Sequence, residues 1–348
     1  MKIQLILLAT WLLLFPAFIS GCKDSIDVDE LAIVIGVGID RIPGKEPILV
    51  SVQIVNPAAA RNPGEASGGQ EQPFIEAIRN LAVTSPRRLF FAHNRMVVLG
   101  KTFAESNISE AMDYMDRDRQ FRRSNWILVT EKTAKEVLET KMDIEKLPGQ
   151  GVFIMLSSHE QTAVYPMNRN EFLLQLKTDS RTSYAPLIHL KAENDVKLEQ
   201  GTGKPLESPE NKNSKKIHLQ EMAIFKNHHL IGTLNEEESK GFLWIINKVR
   251  GDTVVTTSAD GTQSITMDII EGKSKITPHI TEKGITMEIV CTGKAALREA
   301  GNLKLESKNI KIYQQLEQKA ESIVKARVEQ TIIRAQKDLQ ADFLGFAS

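Results

Sequence analysis

Apolar and polar positions divide the chain into short, well-separated elements. Leu31–Asp40 and Pro47–Asn56 are apolar runs rich in β-branched residues. Pro43-Gly44 lies between them and carries turn chemistry, so the pair is predicted to form an antiparallel hairpin. The stretch 57–73 is rich in Pro, Gly, Ala and polar residues and reads as a loop. Its last residue, Pro73, suits the first turn of a helix running to Thr84. Asn94–Gly100 is a predicted strand. Asn107 and Glu110 have capping-box spacing, and Ile108, Ala111, Met112 and Met115 then fall on one face of a helix. Asn125–Thr130 is a strand, Thr133–Lys141 a helix, and Gly151–His159 and Glu171–Lys177 are helical pieces. The stretch 183–193, SYAPLIHLKAE, is a strand.

Asn194–Lys216 has almost no apolar content and many Gly, Pro, Ser, Asn and Lys residues. It reads as a linker or a long hairpin loop. Two strands follow, turned at Asn227-His228, and then a helix opened by a second capping box, Asn235 with Glu238. Phe242, Ile245, Ile246 and Val249 form its predicted buried face, with Trp244 beside them. Gly251–Ala300 alternates repeatedly and reads as strands. The last element, about Lys308 to Ala341, is a long amphipathic helix of roughly 50 Å. Its stripe is Tyr313, Leu316, Ala320, Ile323, Val324, Val328, Ile332, Ala335 and Leu339, a face expected to pack across its own sheet. The fold class is therefore α+β, multi-domain, with mixed β-sheets flanked by helices. The divisions are a leader at 1–21, an N-terminal region at 22–195 holding two subdomains, a linker or loop at 196–216, and a C-terminal α+β domain at 217–348.

The N-terminus changes this picture, because it fixes a compartment. Lys2 is the only charge before Lys23, and the run between them is almost wholly apolar. A basic start, an apolar core and small residues at the end describe an export signal. Ile19-Ser20-Gly21-Cys22 fits a bacterial lipobox, in which small residues fit the peptidase subsites and the Cys22 thiol takes a diacylglyceryl group. The alternative is an uncleaved anchor, since the run is nearly long enough to span a bilayer; Pro16 and Gly21 weigh against it. The only other cysteine is Cys291. With Cys22 lipidated, no internal disulfide forms. Cys291 lies on a strand-like alternation and is expected to be a buried, inert thiol.

Composition narrows the chemistry. The 348 residues carry 44 Lys and Arg against 44 Asp and Glu, so no bulk field favours nucleic acid. Gly36 and Gly38 invite comparison with a dinucleotide fingerprint. No third glycine follows, Asp40 would repel phosphate, and the next element is a strand rather than a helix. Alternate glycines on a strand more often admit another element closely. The seven histidines are scattered, and the one adjacent pair, His228-His229, sits in a turn, so no metal site or other cofactor is expected. No Gly-x-Ser-x-Gly, His-Glu-x-x-His or Ser-x-x-Lys framework occurs, and no catalytic pair is nominated. The run Asp116–Arg123, DRDRQFRR, closes the Asn107 helix. There Arg117, Arg119, Arg122 and Arg123 either pair with the neighbouring aspartates as a solvated cap or form an interaction cluster for lipid phosphate or a partner's acids.

Taken together, the lipobox, DELAIVIGVGID, VSVQIVNP, the long block from SPRRLFFAHNRMVVLG to RSNWILV, EMAIFKNHHLIGTLNEEESKGFLWIINKV and the final QKDLQADFLGF occur in an order and spacing that resembles the Ger(x)C family. These are lipoprotein C subunits of nutrient germinant receptors in endospore-forming bacteria. The resemblance covers nearly all of the chain. It implies a multi-domain α+β protein at the outer face of the spore inner membrane, lipid-anchored through Cys22. It also implies assembly there with a large A subunit and a polytopic B subunit, and no enzymatic site. Members of the family usually continue past DFLGF with a further helix and strand, so Phe343, Leu344 and Phe346 are expected to lack obvious cover. A rival reading from another class is an extracytoplasmic solute-binding lipoprotein that captures a nutrient directly. Such proteins have two α/β lobes, and the strand-dense 251–300 stretch argues against that.

Overall fold

The computed structural model describes residues 27–41, 48–55, 74–142, 145, 147–158, 163–192, 215–249, 251–258, 261–282, 284–300 and 310–346. Eight strands form one large mixed sheet. Strand β1 (Leu31–Arg41) pairs antiparallel with β2 (Ile48–Val55), as the hairpin pattern predicts. On its other side β1 runs parallel to β3 (Arg88–Phe90) and β4 (Met96–Gly100). The parallel series continues through β5 (Trp126–Thr130) to β6 (Thr182–Ala192). From β6 the sheet turns antiparallel, through β7 (Lys215–Lys226) to β8 (His229–Leu234). Near-continuous apolar runs suit the centre of such a sheet: every residue of β4 is buried, because helices cover both of its faces.

In the first half the helices are α1 (Phe74–Thr84), α2 (Lys101–Glu105), α3 (Ser109–Arg117), α4 (Ala134–Glu139), α5 (Pro148–Ser157) and α6 (Arg169–Leu176). The expected box on α3 does not close. Asn107 Oδ1 accepts from Ser109 N at 2.9 Å, but the Glu110 carboxylate reaches Phe74 N at 3.2 Å. Glu110 thus serves an unpaired donor at the start of α1 rather than its own helix. Asn168 and Glu171 do close a box on α6, at 2.9 and 3.3 Å.

The loop-like stretch 193–214 lies outside the described residues, and Lys215 and Lys216 belong to β7. The strands on either side of it, β6 and β7, are neighbours in the same sheet, paired from Thr182↔Lys226 to Ala192↔Lys215. Asn227 and His228 both have positive φ, 50° and 67°, which matches a two-residue hairpin turn of twist-compatible type. Helix α7 (Glu236–Ile245) carries the expected Asn235/Glu238 box, at 2.9 Å in both directions. It ends before Ile246 and Val249, because Asn247 takes φ 59° and breaks the helix.

A second, three-stranded antiparallel sheet holds β9 (Asp252–Thr257), β10 (Ser264–Thr281) and β11 (Gly284–Glu299), in the order β11-β10-β9. The final helix α8 (Ile310–Ile333) runs on into a π-helical turn, Arg334–Asp338. It packs chiefly on α7, not across a sheet as expected. Gly241 makes the contact close: a Cβ there would collide with Arg327 O and Thr331 Oγ1. The expected stripe is also amended. Tyr313 is exposed, whereas Arg327 and Thr331 are buried. Phe343 and Leu344, expected to lack cover, are buried; the Phe343 ring meets Phe242 edge-on at 5.6 Å.

Candidate functional site

The Gly-Val-Gly stretch of β1 proves to be a packing surface closed by its own acid. A Cβ on Gly36 would lie 3.0 Å from Leu138 Cδ2, and one on Gly38 would lie 3.0 Å from Ala134 Cβ. The glycines therefore let α4 lie directly on β1. Asp40, four residues beyond Gly36, then accepts from Ala134 N at 2.7 Å and Lys135 N at 3.0 Å. These are orphan donors of the first turn of α4, so the protein's own carboxylate stands where a helix terminus would meet a phosphate. Burial pushes the Asp40 carboxyl above its ordinary value, and the two N–H donors pull against that. At the other end of α4, Gln53 of β2 donates to Leu138 O and accepts from Gly149 N, both at 2.8 Å. One buried amide thereby joins the end of α4 to the start of α5.

The arginine run ends α3 and forms the loop before β5. Arg117, Arg119, Arg122 and Arg123 are all exposed. Arg117 pairs with Asp113 at 3.4 Å and Arg123 with Asp116 at 3.8 Å; both pairs are solvated and contribute little. Asp118 takes the Tyr114 hydroxyl at 3.0 Å and Gln120 N at 2.8 Å. Burial, followed by that carboxylate, pushes the Tyr114 phenol up to about 12. Inside the loop, Phe121 stacks on Phe91 with centroids 4.6 Å apart. Beneath it lies Arg169, the largest fully buried side chain among the described residues, for which no local sequence pattern signals burial.

A second buried cation fixes the C-terminal half. Arg327 of α8 is 5% exposed. Its Nη1 donates to both Asp252 oxygens, at 3.1 and 2.9 Å, and its Nε and Nη2 donate to Glu237 at 2.6 and 3.2 Å. One guanidinium so ties α8 to α7 and to the start of β9. Burial raises the Asp252 carboxyl, partly offset by Arg327. At Glu237, burial works upward too, but Arg327 and Lys240 hold the group below its usual value.

Beyond this junction, β10 and β11 form a long ribbon. A bulge between Ile269 and Glu271 keeps its apolar side facing one way. Gly272 and Gly293 lie against the Trp244 ring; a Cβ on either would come within 2.9 Å of it. Further out, the paired residues Ile276↔Ile289, Pro278↔Met287 and Ile280↔Ile285 carry the apolar side past its cover. Ile280 is 81% exposed and Ile285 70%. Cys291 lies on the same side; it is half-buried rather than buried, and burial raises its thiol pKa, so it is not an activated nucleophile.

Cys22 lies outside the described residues. Among the described residues no three His, Cys, Asp or Glu side chains are arranged to hold a metal ion, and no helix is long and apolar enough to cross a membrane. His228 and His229 sit at the β7–β8 turn, where His228 O accepts from Ile108 N at 3.1 Å. Two surface features thus stand out, the exposed arginine loop and the apolar end of the ribbon, and neither is a reaction centre.

Both halves of the chain are similar to known proteins. Residues 24–190 match the spore germination protein N-terminal domain, and residues 220–348 match the C-terminal domain described as spore germination B3/GerAC like. Spore germination protein KC of Bacillus subtilis (strain 168) is 25% identical over 359 residues, covering 98% of this chain and 86% of that protein. Spore germination protein YndF of the same organism is also 25% identical, covering 94% and 84%. The crystal structure of the GerBC protein superposes with a TM-score of 0.55 at 18% identity, over 92% of this chain and 88% of that one, and so shares the fold. Both matched families are described by spore germination, and neither description names a catalytic activity. With both halves matched in order and the fold shared along almost the whole length, the chain belongs to the Ger(x)C family of spore germination proteins.

Proposed function

We propose that the chain is the lipid-anchored, non-catalytic C subunit of a nutrient germinant receptor. It sits at the outer face of the spore inner membrane and assembles there with the A and B membrane subunits. The observation that supports this reading is the match of both halves to spore germination domains. The lipobox ending in Cys22 supplies the attachment, where each buried acyl methylene contributes ~0.8 kcal/mol. The exposed apolar end of the ribbon supports a role in protein contact, since large apolar residues grouped on a surface mark interaction sites. The work of the subunit is then tethering and contact.

Cys22→Ala tests it. The variant loses its acyl mass, leaves the membrane fraction and slows nutrient-triggered germination. Normal membrane retention together with normal germination, or an unmodified Met1 on the mature membrane-bound protein, would overturn the reading. The solute-capture alternative is checked by calorimetry of nutrients against the full chain. Micromolar binding would favour it; the antiparallel build of β7 to β11 does not, because a binding-protein lobe alternates strands and helices.

A further inference from the structure

Four strands of the large sheet start at one end of it. Running parallel, Leu31 of β1 is level with Arg88 of β3, Gly36 of β1 with Met96 of β4, and Met96 with Trp126 of β5. The chain enters at this same end, through the turn Val28–Glu30 into β1. Asp27 follows Cys22 by five residues, a length that spans at most ~18 Å even when fully extended. An acyl group on Cys22 therefore holds the amino ends of these strands close to the bilayer surface.

That end differs in chemistry from the opposite one. The cations that open or precede β3, β4 and β5 are arginines: Arg88, Arg95 and the run from Arg117 to Arg123. Those that follow β4 and β5 at the far end are lysines, Lys101, Lys132 and Lys135. Arg88, Arg119 and Arg122 are exposed and make no ion pair among the described residues. Arg95 is exposed too; its guanidinium lies 4.2 Å from the centre of the Phe153 ring, which stacks on Trp126 at 4.8 Å. Ile154 beside Phe153 is 42% exposed, Val28 on the entering turn 59%, and Val83 near the end of α1 84%. Arginine offers phosphate a planar, bidentate fork that lysine lacks. Tryptophan with basic and apolar neighbours is the composition of a membrane interface. Acids are present as well. Asp116 is engaged by Arg123, and Asp118 by the Tyr114 hydroxyl and Gln120 N. Asp27, Asp29 and Glu30 lie on the entering segment. The uncompensated positive charge thus belongs to the loop and the strand starts, not to that segment.

We propose that the amino ends of β3, β4 and β5 form a membrane-docking face, on which Arg88, Arg95, Arg119 and Arg122 engage the phosphates of anionic phospholipid. This rests on lipid anchoring at Cys22, which brings the face to the bilayer. The arginines then fix how the chain stands there, with the starts of its parallel strands toward the headgroups. Of the two uses open to the Asp116–Arg123 run, a solvated cap or an interaction cluster, its place beside the anchored end favours the second.

The test is flotation with lipid vesicles of the mature chain, residues 22–348, carrying Cys22→Ala so that no acyl group contributes. It should bind vesicles of phosphatidylglycerol mixed with phosphatidylcholine and pass over vesicles of phosphatidylcholine alone. Four arginines place half-binding near ~1 mM anionic lipid, and added salt should release the chain. Arg119→Ala with Arg122→Ala should weaken binding about 30-fold. Lys101→Ala with Lys132→Ala removes the same charge at the opposite end and should leave binding within about twofold, because charges beyond a Debye length are screened. Equal binding to the two kinds of vesicle would overturn the proposal, and so would equal losses in the two double variants. Acylation is read separately, from the mass of the parent at Cys22, so a missing lipid anchor and a missing headgroup contact give different results.

Discussion

Arg327→Met should be among the most damaging single changes in the C-terminal half. Methionine matches the stem of the arginine but carries no charge. The change deletes two charge-assisted bonds to Asp252, at 3.1 and 2.9 Å, and two to Glu237, at 2.6 and 3.2 Å. The two carboxylates are not equivalent. The Glu237 side chain is about half exposed, and water re-solvates it, so its share is under ~1 kcal/mol. The Asp252 side chain is 7% exposed and is left as a buried charge, which costs about 3–5 kcal/mol. The sign with pH follows. Burial already raises the Asp252 carboxyl above its ordinary value with Arg327 present. Removing Arg327 removes the chief influence opposing that rise. An acid whose folded pKa is raised binds protons more readily when folded, so its destabilising effect is largest above that pKa and disappears below the unfolded value. The deficit of the variant is therefore greatest at neutral pH and shrinks as pH falls. Urea midpoints across pH, with hydrogen exchange of 310–333, read both parts. Adding Asp252→Asn to the variant should recover much of the loss. A deficit below ~1 kcal/mol, or one that does not change with pH, would refute the reasoning.

The α7–α8 contact gives a steric counterpart. Gly241→Ala drives a methyl group into Arg327 O and Thr331 Oγ1, and should cost ~1–3 kcal/mol in the same urea assay; a neutral result would mean the helices slide apart freely. The phenols supply a spectroscopic check. Burial pushes both Tyr114 and Tyr184 up to about 12, so an absorbance titration should show these two phenols ionising near that pH. A raised acid pKa contributes stability that is lost as pH rises from ~10 through the folded value. Tyr114→Phe should thus blunt alkaline unfolding.

Much of this architecture is written in local pattern. The β1–β2 hairpin, the turn at Asn227-His228 and the Asn235/Glu238 box depend on neighbouring residues, and the chain shows them directly. The close packing at Gly36 and Gly38 is also legible, because alternate glycines serve few other purposes on a strand. What hides is anything set by distant competition. Asn107 and Glu110 have the spacing of a box, but Phe74 N, 36 residues earlier, takes the carboxylate. Arg327 interrupts an apolar stripe and reads as an exposed charge. Its partners, 75 and 90 residues away, make the buried setting possible. Arg169 gives no signal at all, because its burial is produced by a loop whose own arginines draw the eye. Phe343 looks uncovered for the same reason: Phe242, which covers it, belongs to another element.

The pairing of β6 with β7 has a practical meaning for anyone who handles the two halves. The domains matched at 24–190 and 220–348 are units of sequence, but their seam runs between adjacent strands of one sheet. A nick within 193–214 leaves the ladder from Thr182↔Lys226 to Ala192↔Lys215 to hold the pieces together. Expressing either piece alone strips that ladder and presents a bare edge eleven or twelve residues long, the kind of surface that recruits other strands and precipitates. Cutting this chain and separating it are two different operations, and only the first should leave a soluble protein.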